Sequence, residues 1–546
     1  MKTLILALFL SFSAHAVPFE GHKLLITGPS PLAVEAGRKI AAQGGNVIDV
    51  AVAVGLTMSV TTPYYAALGG GGFAVVKMNG AVETLDFRET APAATGKDYY
   101  KDLPKEASIT GGTAVGVPGI PAGLFALHQK YGKLKWEALF NEAISLAKDG
   151  FPVSGEWTHK DASEKSRFNP AGHLAFYKAG QENYKPGEIL KQPALANALA
   201  LLKTKKLKGF YEGPVAADIV KTVHESGGKM ELADLQNYKV RWLKPLTTDF
   251  EGYKIYLMPP PSSGGIIILE ALKLIDDIQL KSKSPLSLDE LHGLAEVESR
   301  AFRGRSLLGD PDFHKNPIEF LSSQKYLDEM AKTISYKKSK VLKPFTDADI
   351  PKESSNTTHF CVQDTEGHAV AITVTLNNNY GSAVVSDKFH IALNDEMDDF
   401  TTHPGQANMY GLTQGEGNTV APGKRPLSSM SPTLVEKDGK VVMSVGAPGG
   451  PRIITAVLQV LYRVLAQNMN VDMAIQYPRV HHQFNPNTLY VDKERFSPEI
   501  LQGLRDRGHT VEEANSMAKG YAIFLRPDGV LEAGFDARGE GADGGI

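Results

Sequence analysis

The sequence predicts an α+β protein, because helical patterns and strand hairpins both occur along the chain. Small and apolar residues recur at helical spacing from Pro31 to Gln43, and the following segment, Val47 to Val60, is apolar on nearly every side. Two strand-like runs, Ala74–Met78 and Ala81–Phe87, flank the dipeptide Asn79-Gly80, which is typical of a two-residue hairpin turn. We therefore expect two early helices, the second of them central, followed by a hairpin.

Composition narrows the function to a small-molecule enzyme or a binding protein. The chain has 546 residues, of which 42% are hydrophobic and 22% charged, and its net charge is -3. This is an ordinary globular composition with room for a large core. A charge so close to balance does not favour nucleic acid or an anionic membrane as a partner.

The first residues have the pattern of a secretory signal. Lys2 precedes an apolar run, Leu4–Phe12, and Ala14-His15-Ala16 offers a small-x-small cleavage site. We therefore predict a signal peptide over residues 1–16 and secretion of the protein to the periplasm. No later stretch approaches about 18 uninterrupted apolar residues, so no membrane span is expected. Cys361 is the only cysteine, which excludes an intramolecular disulfide.

The middle of the chain reads as helices joined by polar connections. A glycine run, Gly69–Gly72, lacks the Gly-Lys-Ser/Thr ending of a phosphate loop, so we interpret it as a site of close backbone packing. A lysine-rich stretch from Lys332 to Lys352 is interpreted as a solvated linker. Helices are predicted at about 121–131, 135–148, 192–204, 213–227, 287–305 and 323–334.

The linker leads to Asn356-Thr357-Thr358-His359-Phe360, in which we predict that Thr357 becomes the first residue of a new polypeptide. A threonine hydroxyl needs a base to become a nucleophile, and an N-terminal threonine carries that base in its own α-amine. An unperturbed α-amine has a pKa of about 7.7 to 8.0 and accepts a proton near neutral pH. Two other interpretations exist for these residues alone. They could simply begin a strand, or Asn356-Thr357-Thr358 could be an N-glycosylation acceptor.

The residues after Thr357 predict a second hairpin. Thr358–Gln363 and Ala369–Leu376 alternate as strands do, so Thr375 and Asn377 are expected on one face, at the level of Thr357. Cys361 lies four residues beyond Thr357. The alternation indicates a buried apolar role for this cysteine rather than a nucleophilic one.

Further clusters carry charge or backbone donors. Asp86-Phe87-Arg88-Glu89 places an arginine between acids at a strand end, where it forms either a solvated ion pair or a clamp for a substrate carboxylate. Gly446–Arg452 is a glycine-rich segment that opens an apolar helix, an order that directs backbone N–H groups at an oxyanion. His481 and His482 would point to opposite faces of a strand, which does not favour a metal site.

Taken together, these clusters resemble the γ-glutamyltransferase family of N-terminal-nucleophile hydrolases, from about Gly28 to the C-terminus. The resemblance rests on Asp86–Glu89, Asn356–His359, Asn394–Phe400, Arg425–Pro432 and Pro448–Gly450. It implies a four-layer αββα sandwich formed jointly by a large subunit, 17–356, and a small subunit, 357–546, after self-cleavage between Asn356 and Thr357.

The resemblance also implies the roles of the site residues. Thr357 is the expected nucleophile, Thr375 hydrogen-bonds it, and Gly449 and Gly450 form the oxyanion hole. The donor's α-carboxylate is expected at Arg88, Ser428 and Ser429, and its α-ammonium at Asn377, Glu396 and Asp399. Glutathione is the expected donor, amino acids or peptides are the acceptors, and the family uses no metal and no organic cofactor.

Some positions depart from the family or bear on related activities. Ala447 and Pro451 stand where the family often has serine, and the segment from Pro404 to Asn418 resembles a lid over the glutamyl pocket, with Tyr410 as its gate. One alternative is a glutaryl- or cephalosporin-type acylase on the same fold. Another is a secreted, unprocessed homologue without enzyme activity, which would have lost the threonine or the glycine pair.

Overall fold

A computed structural model describes residues 18–180, 182–345, 357–403, 408–409, 412, 415–515 and 517–546. The predicted signal peptide 1–16, the scissile-bond residue Asn356 and the predicted gate Tyr410 lie outside the described residues.

Strands occur in both halves of the described chain. In chain order they are β1 Phe19–Gly21, β2 Leu24–Gly28, β3 Gly71–Met78, β4 Ala81–Phe87, β5 Phe151–Pro152, β6 Ile189–Leu190, β7 Arg241–Leu243, β8 Leu246–Phe250, β9 Tyr253–Leu257, β10 Thr357–Asp364, β11 Ala369–Thr375, β12 Thr433–Lys437, β13 Lys440–Gly446, β14 Val480–His481, β15 Leu489–Asp492, β16 Val511–Ala514, β17 Tyr521–Leu525, β18 Leu531–Phe535 and β19 Ala542–Gly545.

Helices separate these strands. In chain order they are α1 Pro31–Ala42, α2 Val47–Thr61, α3 Pro63–Ala66, α4 Ile120–Tyr131, α5 Asn141–Asp149, α6 Gly155–Glu164, α7 Pro170–Phe176, α8 Pro193–Lys205, α9 Lys208–Tyr211, α10 Gly213–Glu225, α11 Leu232–Gln236, α12 Gly264–Asp277, α13 Leu288–Arg303, α14 Ile318–Leu321, α15 Gln324–Ala331, α16 Arg452–Leu465, α17 Val471–Gln476 and α18 Pro498–Asp506. Among the described residues, no helix combines the length and apolar character that crossing a bilayer requires.

Two antiparallel sheets form the inner layers of the molecule. Within the described residues, one has the order β1-β18-β17-β13-β12-β9-β8 and the other the order β19-β2-β10-β11-β3-β4-β7. Apolar side chains of both sheets, such as Val75 and Ile523, pack between them. Helices α1, α2, α4, α5 and α8 cover the second sheet, and α12, α13 and α16 cover the first. The arrangement confirms the predicted four-layer αββα sandwich.

Several predicted elements are confirmed for the reasons that predicted them. Helix α2 begins after Asn46, whose side chain accepts from the backbone N–H groups of Ile48 and Asp49 and completes a capping box. All of its residues are buried, as expected for a helix that is apolar on every side. The β3–β4 turn places Asn79 and Gly80 at positive φ, 52° and 81°, as a type I′ turn requires.

The predicted hairpin after residue 357 lies at the centre of its sheet. Strands β10 and β11 pair with Thr357 opposite Thr375 and His359 opposite Thr373. Strand β3 lies on the other side of β11, with Gly71 opposite Thr375. A Cβ at Gly70 would come within 2.1 Å of the Thr375 carbonyl oxygen, so this glycine permits the close backbone approach that we predicted for the run.

Candidate active site

Thr357 lies at the start of β10, where the central hairpin meets a pocket. Its hydroxyl lies 3.2 Å from the hydroxyl of Thr375 on the paired strand. Thr357 is 5% exposed and lines the pocket. The Thr357 hydroxyl is therefore positioned by the Thr375 hydroxyl, and a ligand in the pocket can reach it.

The pocket at Thr357 is narrow, with a cavity volume of about 20 Å³. It brings together most of the residues that the sequence singled out, although they lie far apart in the chain. Its lining consists of Arg88, Thr357, Thr375, Asn377, Glu396, Asp399, Leu412, Ser428, Ser429, Met430, Gly450 and Ile453.

Arg88 is buried at the end of β4 and is 1% exposed. Its backbone N–H donates to Asp86 Oδ1 at 2.9 Å, which fixes the end of the strand. Its guanidinium forms ion pairs with Glu396 and Asp399, the latter at 2.5 Å. Burial by itself lowers the pKa of Arg88, but attraction to these two carboxylates raises it above its ordinary value. The arginine therefore remains a cation in the pocket, in a buried pair rather than a solvated one.

Two carboxyl groups beside Arg88, those of Glu396 and Glu89, also have raised pKa values, which for an acid disfavours the charged form. Burial raises the pKa of Glu396 well above its usual value and raises that of Glu89 to about 7. Both Glu89 oxygens and Glu396 Oε2 are buried without a hydrogen-bond partner among the described residues. Of these two residues Glu396 lines the pocket, and its unsatisfied oxygen favours a ligand that brings donors, such as an ammonium group.

Ser428 and Ser429 also line the pocket. The Ser428 carbonyl accepts from the backbone and side chain of Ser263, both at 2.8 Å, just before α12 begins. The Met430 N–H donates to Ser428 Oγ at 3.1 Å. Ser431 Oγ donates to the Ser429 carbonyl at 2.8 Å. These bonds fix the backbone, so the pocket is lined with hydroxyl groups of fixed position.

Asn377 reaches the pocket by a different path from the predicted one. Strand β11 ends at Thr375, and Asn377 adopts a positive φ of 76°. The prediction that Asn377 continues the strand on the face of Thr375 is wrong, because a left-handed residue cannot extend a strand. Its N–H donates instead to Thr375 Oγ1 at 2.8 Å, and its Nδ2 donates to the Asp395 carbonyl at 3.1 Å.

The glycine pair precedes α16, as predicted. Gly449 and Gly450 have φ values of 136° and 56°, and α16 begins two residues later at Arg452. Gly450 lines the pocket together with Thr357. Gly449 packs behind it, where a Cβ would come within 2.8 Å of the Ala518 side chain. Both glycines adopt a backbone conformation that other residues rarely do.

Sequence reasoning did not find four residues at or near this site. Leu412, Met430 and Ile453 supply the apolar part of the lining. Arg305 lies behind Ser429 and donates from Nη2 to its Oγ at 3.4 Å. No motif marked Arg305, because an arginine at the end of an amphipathic helix is ordinary.

A group of metal-ligating type lies elsewhere in the described chain. Asp364, Glu366 and His368 approach one another in the β10–β11 turn, at the opposite end of β10 from Thr357. His368 Nδ1 lies 2.9 Å from Asp364 Oδ2, so these two side chains already pair. His481 Nδ1 lies 2.9 Å from Thr455 Oγ1, and its Nε2 lies 2.9 Å from Gln483 Oε1, so both ring nitrogens are engaged.

Comparison with known proteins shows long matches. A family model described as Gamma-glutamyltranspeptidase matches residues 33–546. The glutathione hydrolase proenzyme of Pseudomonas sp. (strain A14) is 40% identical over 513 residues, 92% of this chain and 89% of the relative. The glutathione hydrolase proenzyme of Escherichia coli (strain K12) is 38% identical over 531 residues, 95% of this chain and 91% of the relative.

Solved structures agree in fold. The cephalosporin acylase of Bacillus halodurans superposes with a TM-score of 0.85 over 99% of both chains, at 23% identity. The Helicobacter pylori gamma-glutamyltranspeptidase superposes with a TM-score of 0.55 at 35% identity, over 58% of this chain and 91% of that one. The family model covers nearly all of the chain and the relatives are similar over most of their length; the protein therefore belongs to the γ-glutamyltranspeptidase family, as the sequence motifs indicated.

Proposed function

We propose that this protein transfers or hydrolyses the γ-glutamyl group of glutathione and related γ-glutamyl amides through an ester on Thr357. The proposal includes self-cleavage between Asn356 and Thr357, which yields a large subunit, 17–356, and a small subunit, 357–546. The names of the relatives, glutathione hydrolase proenzymes, support both the substrate and a precursor that is processed.

One observation carries the proposal: the Thr357 hydroxyl opens into a pocket that contains both kinds of charge. A γ-glutamyl donor has an α-carboxylate and an α-ammonium on one carbon. Arg88 with Ser428 and Ser429 offers a cation and hydroxyl donors, and Glu396 with Asp399 offers acceptors. Burying a zwitterion without such partners would cost several kcal/mol. When both ends are bound, the γ-carbonyl is directed at Thr357.

The ion pairs of Arg88 fit this role. In the structure the guanidinium is held by Glu396 and Asp399, so the arginine keeps its positive charge inside the proposed site. A donor would add its carboxylate to the arginine side and its ammonium to the acid side. Positive and negative groups would then alternate across the site. Arg88 and the two acids would each gain a donor group as a second partner and keep their ion pairs with one another.

The reaction is acyl transfer in two stages. The α-amine of processed Thr357 takes the proton of its own hydroxyl, and the oxygen attacks the γ-carbonyl. The C–N bond breaks, the amine leaves with a proton, and an ester remains on Thr357. Water, or the amine of an acceptor, then attacks the ester and regenerates the hydroxyl. The backbone N–H groups of Gly449 and Gly450 are assigned to the oxyanion of each tetrahedral intermediate.

Self-cleavage uses the same hydroxyl before the amine exists. The Thr357 oxygen attacks the Asn356 carbonyl and the amide becomes an ester, with nitrogen leaving as the free α-amine. Water then opens the ester. Thr375, whose hydroxyl lies 3.2 Å from that of Thr357, is assigned to hold the oxygen in both reactions.

The alternative of a glutaryl- or cephalosporin-type acylase is disfavoured by the acidic wall. A glutaryl group lacks the α-ammonium and would leave Glu396 Oε2, which has no hydrogen-bond partner among the described residues, without a donor. The likeness to the cephalosporin acylase, at 23% identity, concerns the fold. Loss of the threonine or the glycine pair would favour the non-enzymatic alternative, and the chain keeps both.

Two further parts of the proposal concern the cellular location of the protein and the access of the donor to the pocket. Residues 1–16 direct the precursor to the periplasm and are removed there. Tyr410, within a lid between Pro404 and Asn418, covers the glutamyl pocket. N-terminal sequencing of the mature large subunit from a periplasmic extract, and donor kinetics of Tyr410→Ala, test these two assignments.

The function is tested with two matched donors. We expect the purified protein to release p-nitroaniline from the γ-glutamyl anilide and to act at least about 100-fold less efficiently on the glutaryl anilide, since a buried charge pair is lost. Asp399→Asn should reduce this preference by lowering only the γ-glutamyl rate. Equal turnover of the two anilides by the wild type would replace the proposed function by the acylase alternative.

A further inference from the structure

Arg305 is a second buried arginine beside the pocket, and its surroundings are unusual. It lies in the 3-10 turn Gly304–Leu307, directly after α13, and is 4% exposed. Its Nη2 donates to Ser429 Oγ at 3.4 Å, whereas its Nε and Nη1 have no hydrogen-bond partner within the described residues. A buried guanidinium with unsatisfied donors costs stability and needs an explanation.

Other buried arginines of this protein are paired. Arg300 forms an ion pair with Glu296, Arg463 with Glu290 and Arg479 with Asp536. Arg305 makes no ion pair of this kind with any residue that the structure describes. Its positive charge is therefore not neutralised by a direct partner.

The two serines of the pocket wall explain what this arginine can do. A hydroxyl has one hydrogen to donate and two lone pairs to accept with. Ser428 Oγ accepts from the Met430 N–H, and Ser429 Oγ accepts from Arg305. In each case the hydroxyl oxygen accepts with one lone pair, which leaves the hydroxyl hydrogen for a ligand in the pocket that both serines line.

The charge of Arg305 acts in the same direction. Burial lowers its pKa to about 10, against an opposing attraction from Asp399, so it is a cation at neutral pH. Arg88 is already engaged by Glu396 and Asp399. A carboxylate that enters between the serines and Arg88 would supply the negative charge that Arg305 lacks.

We propose that Arg305 is a positioning residue of the donor site, which holds the Ser429 hydroxyl with its hydrogen towards the donor's α-carboxylate and stabilises that carboxylate by its charge. The inference rests on the proposed function, because it requires a donor carboxylate in the pocket. Arg305 acts through Ser429 and at a distance, and it does not itself line the pocket.

The first test is steady-state kinetics with the γ-glutamyl anilide. Arg305→Met should raise KM about 10- to 100-fold, the range for a lost hydrogen bond to a charged group, and change kcat little, since the contact exists before and during the reaction. Arg305→Lys keeps the charge, and its KM should lie between those of the wild type and Arg305→Met. Arg300→Lys is the matched control, because Arg300 is equally buried in the preceding helix but bonded to Glu296. It should lower the melting temperature and leave KM unchanged.

The second test is a double-mutant cycle with Ser429→Ala. If Arg305 acts through Ser429, Arg305→Met should raise KM much less in the Ser429→Ala background than in the wild type. If Arg305→Met does not fold, Arg305→Lys is measured in both backgrounds instead. An unchanged KM with a lowered melting temperature, or the same fold-change in both backgrounds, would overturn the inference. A wild type without activity on the γ-glutamyl anilide would instead overturn the proposed function.

Discussion

Thr357 and Cys361 are two possible nucleophiles on one face of the same strand, and their surroundings differ. Thr357 stands at the end of β10, faces the Thr375 hydroxyl and borders the pocket. Cys361 lies four residues on, between the two sheets, and is fully buried. Its Sγ lies 3.1 Å from Nε2 of His359, which is equally buried.

The comparison shows that position decides which group is reactive. A thiol is intrinsically the better nucleophile, but only as a thiolate. Burial raises the pKa of Cys361 far above its ordinary value and lowers that of His359 to about 3, so both groups stay neutral. The Thr357 hydroxyl is a weaker nucleophile, but it borders the pocket. The proposed cleavage supplies its base, the free α-amine.

The largest expected effect comes from removing the accessible hydroxyl. Thr357→Ala should leave one uncleaved chain on a denaturing gel and lower the turnover of the γ-glutamyl anilide by at least about 10⁴-fold, because the ester cannot form. Thr357→Ser, which keeps a hydroxyl, is the control and should still be cleaved. Amine release by the alanine variant would show that another residue is the nucleophile.

A smaller effect is expected from a change at Thr375, whose hydroxyl contacts that of Thr357. Thr375→Val keeps the shape of the side chain and removes the hydroxyl 3.2 Å from Thr357 Oγ1 and its bond from the Asn377 N–H. We expect kcat to fall about 10- to 100-fold, since a buried donor is left unsatisfied. Processing, followed by gel over time after synthesis, should slow as well. Thr373→Val on the same strand face is the comparison, because its hydroxyl bonds His359 rather than Thr357.

A change at His359 should appear in the pH dependence of stability rather than in catalysis. Its pKa in the folded protein is about 3, below its ordinary value of 6.5, so the unfolded chain binds the extra proton between these values. Stability is thus lost as the pH falls from about 6.5 towards 3, with a contribution of about 2 kcal/mol between pH 7 and pH 5. His359→Gln should remove this part of the decrease.

Urea unfolding of the two forms at both pH values measures that contribution. The uncleaved Thr357→Ala protein is the suitable background, because it remains one chain. An equal decrease with and without His359 would show that the imidazole is not kept neutral by burial. His22→Gln provides the control, because His22 lies exposed in the short connection between β1 and β2.

The smallest effect is expected at the buried thiol. Cys361→Ala should keep activity within about twofold and cost about 1 to 2 kcal/mol of stability through a small cavity. The thiol of the native wild type should resist alkylation by iodoacetamide and react once the protein is unfolded in urea. Rapid alkylation of the native protein with loss of activity would contradict the comparison.

The sequence predicted those structural elements whose pattern lies within one short segment of the chain. The Asn79-Gly80 turn and the Asn46 cap fixed their elements locally, and the alternation after Thr357 predicted that Cys361 is buried. The motif resemblance supplied the four-layer fold and the pocket residues. The extension of β11 through Asn377 was wrong, because a left-handed turn leaves no mark in the alternation of residues.

By itself the sequence determined the chemistry available to this protein: a threonine after a linker, an arginine between acids, two serines and a glycine pair. Only the tertiary structure decided which of these groups meet. Arg88 and Asp399 are more than three hundred residues apart, and their ion pair exists because β4 and β11, which precede them in the chain, both pair with β3 and end at the same edge of one sheet. Arg305 became visible as a neighbour of Ser429 for the same reason, since burial and partners are properties of packing and no local pattern records them.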